Sequence, residues 1–216
     1  GANIRANRSA IERRAATLPG RRSVKKVHQA AWLCRAISCI DLTTLSGDDT
    51  EGRGRRLCAK ARAPVREDLL DKLDMRGLTV GAVCVYHDMI EAAVTALKGS
   101  QIPVAAVSTG FPAGLSPLHL RVAEIEASVA AGAEEIDIVI SRRHVLSGDW
   151  QALYDELRLF RAACGPAHMK AILATGELGS LRNVGRASVV AMMAGSDFIK
   201  TSTGKESVNA TLPVTL

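Results

Sequence analysis

Short apolar runs alternate along the chain with stretches in which apolar residues recur every three or four positions, and the alternation sets in at about residue 36. The short runs predict strands near 36–42, 79–86, 103–109, 134–140, 168–174 and 196–202. The stretches between them predict helices. The clearest takes Asp149 as its N-cap and aligns Trp150, Leu153, Leu157, Phe160 and Cys164 on one stripe. A second, over about 117–131, aligns Val122, Ile125 and Val129 and stops at Gly132, while Gly99 ends a third over Met89–Lys98. Predicted strands begin about 24 to 43 residues apart, the length of one β/α unit. Six such units in series predict a parallel sheet, either a closed (β/α) barrel or an open doubly wound sheet.

Polar residues inside the predicted strands separate these two folds. Five of the six apolar runs contain an ionisable residue: Asp41, Cys84, Asp137, Lys170 and Lys200; the third ends in Ser108-Thr109 instead. An open sheet gathers its polar groups around one switch point between two strands. A closed barrel collects them from nearly every strand at its C-terminal mouth. A single such residue is a tolerated polar group, but buried acids and amines survive best where they meet one another. The expected fold is therefore the α/β, (β/α)8 TIM-barrel class, with about six of the eight β/α units in this chain.

Composition narrows the function. The core is aliphatic, with 47% apolar residues but only 3% aromatic. No apolar run approaches the roughly 20 residues of a membrane span, so no membrane partner is expected. The net charge of +6 suggests nucleic acid until it is located. Residues 1–35 carry seven Arg and two Lys against Glu12, a balance of +8, which leaves the other residues at 6 − 8 = −2. Residues 1–35 thus read as a basic, helical extension and 36–216 as the barrel domain, which offers no electrostatic case for nucleic acid. Within the extension, Arg21-Arg22-Ser23-Val24-Lys25-Lys26 has the composition of a nuclear or organelle address, set against the plainer reading of a solvated helix. Five scattered cysteines without a CxxC pair point to reduced thiols and a cytoplasmic protein, with a nuclear pool left open by the basic run. Neither they nor the five dispersed histidines have metal-ligand spacing, so no metal site is expected.

The segment Ser196-Asp197-Phe198-Ile199-Lys200-Thr201-Ser202-Thr203-Gly204-Lys205 carries the most chemistry. It reads as a short buried strand, covered on both faces, running into a polar loop. Lys200 either opens that loop in solvent or sits in a polar pocket at the strand's end. In a pocket, burial disfavours the ammonium, and a neutral amine is a nucleophile towards a carbonyl. An ordinary lysine of pKa about 10.4 is only about 0.04% neutral at pH 7. Lowering the pKa by about three units stores about 4 kcal/mol. Lys170, on the preceding strand, would be a second cation to drive that shift, and Asp137 would relay protons through water once an iminium forms. Other chemistries fit worse: Ser202-Thr203-Gly204-Lys205 fails the P-loop pattern, no Gly-x-Gly-x-x-Gly follows a strand, and there is no Gly-x-Ser-x-Gly elbow.

Six segments in order, one on each unit, resemble deoxyribose-phosphate aldolases, and the animal members most closely. They are Asp41-Leu42-Thr43-Thr44-Leu45, Ala82-Val83-Cys84-Val85-Tyr86, Thr109-Gly110-Phe111-Pro112, Glu135-Ile136-Asp137-Ile138-Val139, Ala174-Thr175-Gly176-Glu177-Leu178 and Asp197 to Lys205. The resemblance implies a class I aldolase that cleaves 2-deoxy-D-ribose 5-phosphate, a phosphosugar, to D-glyceraldehyde 3-phosphate and acetaldehyde without a cofactor. It implies Lys200 as the Schiff-base lysine, Asp137 as the proton relay and Lys170 as a tuning and pocket residue. Asp41 and Cys84 would line the substrate pocket, Thr203 would bind substrate, and Gly204 and Lys205 would form part of the phosphate-binding region. A homo-oligomer is left open.

The chain departs from the family at Ser141-Arg142-Arg143 and at His87-Asp88, and it stops at Leu216 before two further units that would carry a second tuning lysine and most of the phosphate loops. Two other readings therefore stand beside the aldolase: an incomplete, non-catalytic barrel that binds a partner or is a non-functional fragment, and a phosphosugar isomerase or epimerase that forms no imine.

Overall fold

The computed structural model describes residues 4–21 and 23–216; Arg22 of the basic run and the first three residues of the expected extension lie outside them. Six short strands alternate with helices, and the first three strands and the last two pair in parallel. The chain divides into two compact units, one of residues 22–107 and 127–135 and the other of residues 1–21, 108–126 and 136–216.

In the first unit the strands β1 (Asp41–Thr43), β2 (Ala82–Tyr86) and β3 (Val104–Ser108) run side by side, with Asp41 opposite Ala82 and Val83 opposite Val104. Helices α2 (Lys26–Ile37), α3 (Glu51–Arg62), α4 (Glu67–Leu73) and α5 (Ile90–Leu97) accompany them. The strand expected over 36–42 begins only at Asp41, because Ala36 and Ile37 belong to α2. The helical period wins there: Cys34 and Ile37, three apart, pack with Leu70, Leu78 and Val65 in one apolar cluster. The remaining strands fall inside their expected ranges.

The second unit holds α1 (Arg8–Thr17), β4 (Glu135–Val139), α7 (Arg142–Ser147), α8 (Trp150–Cys164), β5 (His168–Ile172), α9 (Leu181–Ala194) and β6 (Phe198–Lys200). Helix α6 (Leu118–Ala130) precedes β4 in the chain. Asp149 caps α8 as expected by accepting the Ala152 N–H at 3.0 Å, and Leu153, Leu157, Phe160 and Cys164 are fully buried. Gly195 ends α9 in the left-handed conformation, φ 103°, where a side chain would be strained. Strand β6 corrects one expectation. It is not covered on both faces: among the described residues it pairs only with β5, and Phe198 is 50% exposed.

Glu156 shares the buried stripe of α8, and a carboxylate there needs partners. Arg121 of α6 supplies one, its guanidinium donating to Glu156 at 2.8 Å and to the Ser141 hydroxyl at 3.1 Å while lying over the Phe160 ring. Ser141 completes the cluster, its N–H and hydroxyl donating to the two carboxylate oxygens at 2.8 and 2.5 Å. The exit of β4 is thereby tied to α6 and α8. Because removing one partner of a buried ion pair strands the other charge, Arg121→Ala is expected to cost about 3–5 kcal/mol, read as a drop in the urea midpoint; adding Glu156→Leu recovers much of it.

Candidate active site

In β4, Asp137 lies between Ile136 and Ile138, and alternation sends it to the face opposite theirs. In β5, Lys170 likewise alternates with Met169 and Ala171. The register sets Lys170 opposite Phe198 and Ile172 opposite Lys200, so both lysines share one face, two residues apart along the strands. They meet at one carboxylate. Lys200 Nζ donates to Asp137 Oδ2 at 2.5 Å, and Lys170 Nζ stands 3.5 Å from Oδ1. Asp137 has no solvent exposure and the Lys170 side chain is 8% exposed, whereas that of Lys200 is 32% exposed. One amine is buried behind the carboxylate; the other is accessible. Lys200 does not simply open a solvated loop.

The backbone around this triad is locked at the strand exits. Thr109 takes a left-handed φ of 63°, uncommon for a β-branched residue. Its hydroxyl accepts the Val139 N–H at 2.7 Å and donates to the Val139 carbonyl at 3.0 Å. Ala174 takes φ 55° beyond β5, after which the Thr175 N–H donates to the Thr201 carbonyl at 2.8 Å. Arg142 joins three connections: it donates to the carbonyls of Pro112 and Ala113 at 3.4 and 3.1 Å and pairs with Glu177 at 2.7 Å.

The segment after β6 forms a small cradle of donors. Gly204 has φ 85°, which turns successive N–H groups to one side and makes an anion-binding concavity. The Thr203 and Gly204 N–H groups and the Thr203 hydroxyl all donate to the Glu206 carboxylate, at 3.0, 3.1 and 2.8 Å. Burial pushes that carboxyl up, but the hydrogen bonds outweigh it and hold Glu206 below the usual carboxylate range. The Lys205 N–H donates to the Thr203 hydroxyl at 3.0 Å, and Lys205 itself is exposed.

Of the residues named from sequence, the structure brings Lys200, Asp137 and Lys170 together, and it places Thr203, Gly204 and Lys205 just beyond Lys200 in the same unit. Asp41, half-buried at the start of β1, and Cys84, buried in β2, lie on adjacent strands of the other unit but out of register, Asp41 opposite Ala82 and Cys84 opposite Thr43. The sequence reading missed Glu206 and Arg142. For Glu206 a signal existed, since Thr-x-x-Glu is the spacing at which a glutamate reaches back to N–H groups upstream. Arg142 had none, because its acceptors lie about 30 residues away. Among the described residues no group of three His, Cys, Asp or Glu side chains is placed to hold a metal ion, and no helix is long and apolar enough to cross a membrane.

A parallel β/α fold that sets two amines on one buried carboxylate describes a barrel-class carbon–carbon lyase. The sequence agrees: residues 35–214 match the family described as DeoC/LacD family aldolase, and the chain belongs to that family. It is 61% identical over 217 residues to a Bos taurus deoxyribose-phosphate aldolase, covering 99% of this chain and 68% of that one. Among solved structures it resembles QR15, an aldolase, with a TM-score of 0.70 at 26% identity over 82% of this chain and 72% of that one. The fold is also that of the deoxyribose phosphate aldolase from Aeropyrum pernix, a protein of tetrameric structure, with a TM-score of 0.64 at 24% identity over 85% of this chain and 73% of that one.

Gly176 gives the site a steric test. A Cβ there would strike the carbonyl oxygen of Val208, so the 205–210 segment crosses directly over it. Gly176→Ala is expected to displace that segment while leaving β4 to β6 in place, seen as new protease cleavage confined to residues 205–210 and an unchanged far-ultraviolet circular dichroism spectrum.

Proposed function

We propose that the chain acts as a Schiff-base aldolase on 2-deoxy-D-ribose 5-phosphate, releasing D-glyceraldehyde 3-phosphate and acetaldehyde. The observation that carries the reading is the Asp137 carboxylate between the Lys200 and Lys170 amines. One carboxylate neutralises one ammonium. With both lysines protonated the buried site holds a surplus positive charge, and losing a proton from the accessible Lys200 removes it. The neutral amine then adds to the aldehyde carbon C1 of the open-chain sugar, and loss of water leaves an iminium.

The iminium nitrogen is the electron sink. Removal of the C3 hydroxyl proton breaks the C2–C3 bond, its electron pair moves towards nitrogen as an enamine, and glyceraldehyde 3-phosphate departs as the aldehyde. Protonation of the enamine at C2 and hydrolysis free acetaldehyde and restore the amine. Asp137 lies within hydrogen-bonding distance of the reacting nitrogen, which suits it to pass protons directly or through water. Lys170 keeps a positive charge beside the carboxylate throughout. The Thr203–Lys205 segment, with its convergent N–H groups, is suited to the 5-phosphate. The five cysteines, all free thiols, fit a reducing, cytoplasmic setting. A multimer is the natural assembly to test, given the tetramer of the Aeropyrum pernix protein.

Borohydride reduction in the presence of acetaldehyde should leave an ethyl adduct on the Lys200 peptide, found by mass spectrometry. Adduct of equal yield in Lys200→Ala would sink the assignment. Asp137→Asn is expected to slow imine trapping by about 10²-fold or more, in the range for a positioned proton-transfer group. Lys170→Met should slow trapping most near neutral pH and least at high pH, where Lys200 loses its proton unaided; a uniform loss across pH would exclude a tuning role.

A further inference from the structure

The anion cradle after β6 already holds an anion. Three donors converge on one carboxylate, two of them successive backbone N–H groups turned by the left-handed Gly204, and the carboxylate belongs to Glu206 of the same loop. These are the donors that suit a phosphate oxygen. A dianion brought to them meets two obstacles: the donors are in use, and the resident carboxylate repels it at close range.

We propose that Glu206 is a built-in competitor for the phosphate subsite, a specificity-determining residue whose carboxylate must give up the Thr203 and Gly204 donors before a phosphate engages them. The inference rests on the reading of Thr203–Lys205 as the phosphate loop. Glu206 is half-buried and its backbone carbonyl is anchored by the Asn209 amide at 3.0 Å, so the side chain can rotate away while its main chain stays. The displaced carboxylate would be rehydrated. The consequence is a loop that stays ordered when empty and gives phosphorylated aldehydes a smaller advantage over unphosphorylated ones than the same donors would give if vacant.

The test compares the wild-type chain with Glu206→Gln, which keeps the shape and one acceptor oxygen but removes the charge, and with Glu206→Ala. Inorganic phosphate binding is followed by titration of the Gly204 amide resonance, and imine trapping on Lys200 is measured with acetaldehyde, which carries no phosphate. The expected result is phosphate binding about tenfold tighter in both variants, the scale of one removed charge contact near the surface, with acetaldehyde trapping unmoved. Unchanged or weaker phosphate binding in Glu206→Gln overturns the proposal, leaving Glu206 as a brace that shapes the loop. An equal gain with acetaldehyde overturns it too, since the effect would then lie at the amine. If no protein binds phosphate while Lys200 still traps acetaldehyde, the phosphate loop is misassigned and the proposal falls with it, but the Schiff-base reading stands.

Discussion

A carboxylate with no solvent exposure, placed in the middle of a strand, is tolerable only where cations reach it. Asp137 imposes that condition on the unit it occupies. Lys170 must lie on the same face of β5 and Lys200 on the same face of β6, and both must arrive within a few ångströms. A slip of one residue in the β5–β6 register would turn Lys200 to the opposite face and leave the acid short of a partner. The interaction that keeps the strands in register is therefore also the one that gathers the two amines around the acid. Lys170 is the deeper of the two lysines, on a strand that lies between two others.

A second buried ion cluster supports the first at a distance. Glu156, Arg121 and Ser141 fix the point where β4 leaves the sheet, four residues beyond Asp137. Its contribution is positional as much as energetic, because a buried pair is a modest source of net stability but a demanding one to break. The strand carrying Asp137 is thus held by charge at its middle and again at its exit.

The part of the site that could be read in the chain was the part that interrupts a pattern. Asp137, Lys170 and Lys200 stand out because each breaks an apolar run, and the repeated β/α spacing told how those runs were to be arranged. The first strand was misplaced at its start because Ala36 and Ile37 satisfy an apolar run and a helical stripe equally well, and only the packing of Ile37 against Leu70 and Leu78 decides between them. The exposure of Phe198 was hidden for a different reason: an apolar run does not say how many neighbours its strand has. Glu156 escaped because a charged residue beside Leu157 reads as the edge of the stripe rather than as part of it. Arg142 was beyond local reading altogether, since two of its acceptors are main-chain carbonyl oxygens, to which any residue type contributes, and the third is the carboxylate of Glu177, far along the chain.

That last contact has a bearing on how such a site can change. In barrel enzymes the loops after successive strands are the usual raw material for new specificity, each free to vary on a constant frame. Here one guanidinium is shared by the loop after β3, the exit of β4 and the turn after β5. A shortening or lengthening of any of the three is felt by the others through that single side chain. Sequence change at this mouth is consequently epistatic: loops would be exchanged between homologues as a matched set of three, and grafted singly they would carry the donor's sequence without its conformation.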